Sequence, residues 1–279
     1  MAVNKRRLAA VLALVLICAV ALAFALGRQR GQPTGLFSTL PLLWAESATI
    51  ADMLKTPARP HWAKAVLEAR GGVVPVDSLA QLRGFDTLVM AQPRPLSPEE
   101  NVALDGWVRG GGLLLLLADP MLTAPSAFAL GDRRRPQDVV LISPILARWG
   151  LRLDLVDGQP FGQHAQTLFD MTLPVNLPGR FALLEGAPCT LAAEGLAAEC
   201  RVGKGRVLAL ADAALLEQGD GSDEGARAAL FDALLDRLEA VGRNFVIPAK
   251  AGIHLQAVRI TERPLGGTTS GDGFPPSRE

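Results

Sequence analysis

Histidine is scarce in this chain, with 3 in 279 residues. His61 falls at an expected helix start, His164 in a proline-rich stretch and His254 in the tail. None of them forms an H-x-x-x-H type pair, so no metal site is expected, and no cofactor either. An excess of charge is also missing: 28 Lys and Arg meet 28 Asp and Glu, while 49% of residues are hydrophobic. That balance excludes a disordered chain and a protein that coats nucleic acid. There is no G-x-S-x-G or G-x-C-x-G elbow, so the strained exposed nucleophile used for hydrolysis on α/β sheets has no candidate. Repeats of solenoid length are absent too.

What is present begins with the glycines in GGGLLLLLADP, residues 110–120. Phosphate loops run strand, glycines, helix, because the anion needs the unpaired N–H groups that open a helix. Here the order is reversed. In SPEENVALDGWVR, Ser97 can cap, Pro98 suits the first helical position, and Glu100 completes a Ser-x-x-Glu capping box. Ala103, Leu104, Trp107 and Val108 recur at helical spacing, and Gly110 can take the left-handed conformation that ends the helix. Residues 113–118 form an apolar run too short for a helix, which fits a strand covered on both faces.

Residues 8–26 carry no charge and would reach about 28 Å as a helix, close to a bilayer core. Lys5, Arg6 and Arg7 precede them, so the expectation is a cytoplasmic N-terminus (1–7), an inner-membrane signal anchor (8–26) and a periplasmic remainder. Ala23-Phe24-Ala25 offers the competing reading of a cleaved signal peptide. A polar linker (27–34) follows. The main domain is expected over 35–242 and a disordered tail over 243–279, where VIPAKAGIHLQ resembles the conceptual translation of dispersed bacterial intergenic repeats.

Within the domain, strands at 36–40, 73–76 and 87–91 alternate with helices. One of these, HWAKAVLEAR, shows Trp62, Ala65, Val66 and Ala69 at amphipathic spacing. The alternation predicts an α/β fold, a doubly wound and mostly parallel sheet of flavodoxin-like or glutamine amidotransferase-like type. A half-exposed strand is expected in LRLDLVD, a proline-rich excursion at 160–188 that interrupts the sheet, a strand at 207–211, and a last helix near 224–241. In that helix Leu230, Leu234, Leu235 and Leu238 make a core stripe. In PCTLAAEGLAAEC, a two-residue turn at Glu194-Gly195 would set Cys189 opposite Cys200, within disulfide range. A shifted register would leave two buried thiols instead.

Ligands of open α/β sheets bind beyond the carboxyl ends of the strands. Asp119 and Asp212 end LLLLLAD and LALAD, so on neighbouring strands they could share a cation or perform acid–base work, or each could cap the segment that follows. In GDRRRPQD, Arg133, Arg134 and Arg135 could grip an anion, or form a solvated loop balanced by Asp132 and Asp138.

QPRPLSPEENVALDGWVRGGGLLLLLADP resembles the strand–helix–strand core of bacterial ABC-transport auxiliary or gliding-motility-type domains, whose fold is similar to class I glutamine amidotransferases. GKGRVLALADAALLE resembles the closing strand of the same fold. The amidotransferase relatives carry a cysteine in a glycine-flanked elbow, where this chain reads Gln92-Pro93-Arg94. The resemblance therefore implies a non-catalytic, membrane-anchored binding or scaffolding module that works with transporter subunits. The rival reading is a cation-dependent hydrolase using Asp119 and Asp212.

Overall fold

The computed structural model describes residues 32–46, 60–217, 221 and 223–240. In chain order its main elements are β1 (Thr34–Ser38), α1 (Trp62–Ala69), β2 (Val73–Pro75), β3 (Thr87–Ala91), α2 (Pro98–Gly110), β4 (Leu113–Leu117) and α3 (Ser143–Arg148). There follow β5 (Leu151–Asp154), β6 (His164–Leu168), β7 (Met171–Val175), β8 (Arg180–Leu183), β9 (Cys189–Ala192), β10 (Ala197–Val202), β11 (Gly205–Leu210) and α4 (Glu224–Ala240).

The result is a mixed α/β protein around a parallel-rich sheet of seven strands, ordered β2-β1-β3-β4-β11-β10-β9. The pairs from β2 through β11 are parallel, and β10 and β9 add antiparallel strands at one edge. Alternate residues of the central strands enter two separate cores. Val89, Leu115, Leu117, Leu208 and Leu210 pack with Leu67 of α1 and Phe231 and Leu234 of α4. Leu88, Met90, Leu114, Leu116 and Val207 pack with Leu104 of α2 and Ile145 of α3. Coverage of both faces explains the leucines of β4, since Leu114, Leu115, Leu116 and Leu117 are all withdrawn from water. Each fully buried leucine contributes on the order of 1.5–3 kcal/mol.

The helix before the triple glycine is built from the residues that announce it. The Ser97 hydroxyl accepts the Glu100 N–H at 3.2 Å, and the Glu100 carboxylate accepts the Ser97 N–H at 3.0 Å. The positive φ that closes α2 belongs to Gly111 (126°), one residue later than expected. Packing, not a ligand, accounts for Gly112. A Cβ there would come within 2.5 Å of the Trp107 ring.

At the antiparallel edge, β9 pairs with β10 in the register that sets Cys189 opposite Cys200, and the two are joined by a disulfide. The tight connection between them runs through positive φ at Ala193, Glu194 and Gly195.

The proline-rich stretch is more ordered than a bare excursion. It contributes β6 and β7, which form their own two-stranded ladder, and β8, which pairs with β5. Pro174 lies within β7, whose ladder has two strands, so both are edges and a missing N–H is tolerated. The strand expected in LRLDLVD is β5, whereas β6, β7 and β8 escaped the sequence because prolines and polar residues break their alternation.

Among the described residues, no helix is long and apolar enough to cross a membrane. The run at 8–26, the linker before it joins the sheet and the tail from 243 all lie outside the described residues, apart from residues 32–34.

Candidate functional site

The ladder registers align the carboxyl ends of four strands. Ser38 pairs with Ala91, Ala91 with Leu117, and Leu117 with Leu210. The residues that follow these ends therefore share one edge, the place where such sheets bind ligands.

Immediately after β3, Gln92 takes a positive φ of 45° and is fully buried. Its amide Nε2 donates to Asp119 O (3.0 Å) and Gln137 O (2.7 Å), while its Oε1 accepts the Asp119 N–H at 2.9 Å. One side chain thus joins the loops that leave β3 and β4, and the strained backbone is held by these bonds.

Asp119 and Asp212 are both buried. Asp119 accepts the Met121 N–H (2.7 Å) and, across the edge, the Ala213 N–H (3.3 Å). Asp212 accepts the Ala214 N–H (2.6 Å) and the Asn176 N–H (2.9 Å). Each aspartate therefore makes a local turn and also ties down a second segment. Burial pushes the Asp119 carboxyl up to about 7, and the nearby Glu217 charge adds to this, although its two N–H donors pull the other way. Burial, and then the neighbouring Asp119, push Asp212 well above the usual carboxylate range. Both carboxyls are therefore easier to protonate than exposed aspartates.

A crevice of about 220 Å³ opens at this edge, lined in part by Pro41, Glu46, His61, Ala124 and Glu217. The Glu217 carboxylate accepts the Thr123 hydroxyl and the Gln163 amide, each at 3.0 Å. Glu46 accepts the Ser126 hydroxyl (2.8 Å) and the Ala127 N–H (2.7 Å) on Oε2, and its Oε1 is buried with no hydrogen-bond partner among the described residues. His61 caps α1: its Nδ1 accepts the Ala63 N–H, so its Nε2 carries the proton donated to Leu216 O at 3.1 Å. Burial lowers the imidazole to about 4, reinforced by the Arg227 charge and opposed by the Leu216 bond, so the ring is neutral at pH 7. Buried Arg227 donates to Ala214 O (2.6 Å) and to Gln163 Oε1 (2.8 Å), fixing both the turn after β11 and the amide that holds Glu217.

The arrangement can hold and relay protons, but it does not fit a cation. Each of the four aspartate oxygens already accepts a backbone N–H, and among the described residues no three His, Cys, Asp or Glu side chains are placed to hold a metal ion. The arginines of the basic loop do not converge. Arg134 pairs with Asp132 and stacks over Phe128, Arg135 pairs with Asp138, and exposed Arg133 forms no ion pair among the described residues. Sequence reasoning brought Asp119 and Asp212 to this edge and missed Glu46, Glu217, Gln92 and Arg227. Of these, Gln92 alone carried a local signal, through its place directly after a predicted strand.

No family model and no curated protein matches the chain. Among solved structures it is similar to an exo-β-1,4-mannosidase from Opitutaceae bacterium strain TAV5 (15% identity, 73% of this chain, 36% of that one, TM-score 0.44). It is also similar to a GH42 β-galactosidase of G. stearothermophilus (12%, 75% and 30%, TM-score 0.46) and to a cytoplasmic protein of Salmonella typhimurium (12%, 62% and 85%, TM-score 0.36). The chain spans about a third of the length of those glycosidases, and at these scores their activities stay their own. None of the three is a glutamine amidotransferase or a transporter auxiliary, which corrects the resemblance drawn from residues 92–120 and 203–217. Those segments carry helix caps, apolar strands and tight glycines, which many α/β sheets require. The non-catalytic, membrane-anchored scaffold, its periplasmic placement and its transporter partner rested on that resemblance and on residues 8–26, and they are withdrawn with it.

Proposed function

We propose that the chain is a hydrolase of the acid–base type, with its reaction centre in the crevice at the carboxyl edge of a sheet wound in flavodoxin-like order. The observation that carries this reading is the gathering of four carboxyl groups at that edge: Asp119 and Asp212 buried behind it, Glu217 and Glu46 on the crevice wall. Two carboxyl groups facing one cleft are the minimum for cleaving an acetal, with one group donating a proton to the leaving oxygen and the other activating water. Glu217 is the residue placed to touch substrate, oriented by Thr123 and Gln163. Asp119 and Asp212 act as positioning residues: through the Ala213 and Ala214 N–H groups they fix the turn that carries Glu217. Glycosides are accordingly the first substrate class, and aryl esters and aryl phosphates the controls. Hydrolysis of nitrophenyl glycosides by the purified chain, with kcat reduced about 100-fold or more in Glu217→Gln, is the expected result. Turnover of no member of the panel, or turnover indifferent to Glu217→Gln, would refute the proposal.

A further inference from the structure

At the opposite end of β11, Arg206 stands directly across the antiparallel ladder from Arg201. Like charges at opposed positions repel. The Arg206 guanidinium is accordingly pushed below its usual value, first by burial and then by Arg201. The acid in this wall is Glu199, and it is taken by Arg237 through Nε (2.6 Å) and Nη2 (3.1 Å). Arg206 gives one N–H to Glu239 O at 3.3 Å, but its Nη1 is buried with no hydrogen-bond partner among the described residues. A buried donor left unpaired is costly, and in folded proteins it is usually matched by an acceptor.

These groups share one side of the sheet. Glu199 pairs with Leu208, which packs into the core beneath α4, and Arg201 and Arg206 are the next opposed pair on that face, two residues away. Together with Arg237 of α4 and the apolar Pro188 and Leu238 they enclose a cavity of about 290 Å³. Its lining includes Arg206, whose Nη1 points to no acceptor among the described residues, beside the paired Arg237 and Glu199.

We propose that this cavity binds a small molecule through a carboxylate or phosphate group, which accepts from Arg206 Nη1 and relieves the repulsion between Arg206 and Arg201. Guanidinium forks suit planar and tetrahedral oxyanions, and the apolar rim suits a short hydrocarbon body. The site is separate from the crevice that holds Glu217, so it stands or falls independently of the hydrolase proposal.

The test is thermal unfolding of the full chain in inorganic phosphate and in succinate, against sodium chloride at matched ionic strength. Either oxyanion should raise the melting temperature by roughly 3–6 °C at ten times its dissociation constant, and the stronger of the two identifies the headgroup. Arg206→Gln and the exposed Arg201→Gln should each abolish that rise, whereas Arg152→Gln, whose charge pairs with Asp154 elsewhere, should keep it. Equal melting temperatures in both oxyanions and in chloride would overturn the proposal. So would an undiminished response in folded Arg206→Gln or Arg201→Gln.

Discussion

The Asp119 carboxylate crosses the sheet edge to the residue that follows Asp212, accepting the Ala213 N–H at 3.3 Å. Asp212 in turn holds Asn176, whose amide Nδ2 donates to Thr123, the hydroxyl that donates to Glu217. The chemistry proposed for the crevice depends on this chain of bonds, because each link fixes a loop from a different part of the sequence.

The buried acids set the pH dependence of stability. An acid whose folded pKa is raised binds more protons when folded, so its contribution is complete below the unfolded value and is lost as pH rises through the folded one. For Asp119 that window runs from the ordinary 3.8 to about 7, and Asp212 acts in the same direction. Glu100 is opposite. Its bond to Arg94 leads the causes that hold it at about 2, so its stabilisation is present above about 4.5 and fades as pH falls towards 2. His61 opposes the aspartates between about 4 and its ordinary 6.5, because a lowered imidazole contributes stability that grows as pH rises through that range, so the aspartates' loss should show as a fall in melting temperature between about pH 6.5 and 8. Asp119→Asn should flatten that fall, and a wild-type melting temperature that rises from pH 6.5 to 8 would contradict this account.

Asp119 and Glu217 should separate in kinetics. Glu217→Gln removes a group proposed to touch substrate and should lower kcat with little change in melting temperature. Asp119→Asn sets an amide donor against a backbone donor, so it should lower the melting temperature as well as activity. Paired unfolding and rate measurements on the two variants check the division.

Cutting the Cys189–Cys200 bridge should destabilise the chain by about 3 kcal/mol, the value expected for closing a short loop. Denaturant unfolding with and without reductant reads this directly, with Cys189→Ser/Cys200→Ser as the reduced reference. An unchanged midpoint would mean that the bridge does not form.

The glycines around α2 should differ sharply from one another. A Cβ on Gly205 would sit 1.9 Å from the Val108 carbonyl oxygen, so Gly205→Ala should cost about 3 kcal/mol or more. At Gly110, inside the last turn of α2, a Cβ meets nothing within 4 Å. Gly110→Ala should leave stability unchanged or raise it by about 0.5 kcal/mol. Comparable losses at both positions would refute the close approach of β11 to the end of α2.

Local chemistry made part of this structure legible in advance. The Ser97–Glu100 box, Pro98 and the apolar run at 113–117 each act within a few residues, so the helix–glycine–strand order could be read directly. The outward count from Glu194-Gly195 likewise gives the β9–β10 register, because one tight turn fixes every later pair. The proline-rich stretch was less readable, since β5 meets β8 across a gap that no local pattern spans.

By itself, then, the sequence determined the elements outside the proline-rich stretch, the Ser97–Glu100 cap and the two carboxylates at strand ends, all consequences of short-range hydrogen bonding and hydrophobic period. Tertiary structure alone decided that β4 lies between β3 and β11, that Glu46, His61 and Glu217 line one crevice, and that Arg237 of α4 and Arg206 of β11 line one cavity. Those contacts join residues far apart in the chain. They arise because a sheet buried on both faces brings every strand end to one of two edges, whatever its place in the sequence.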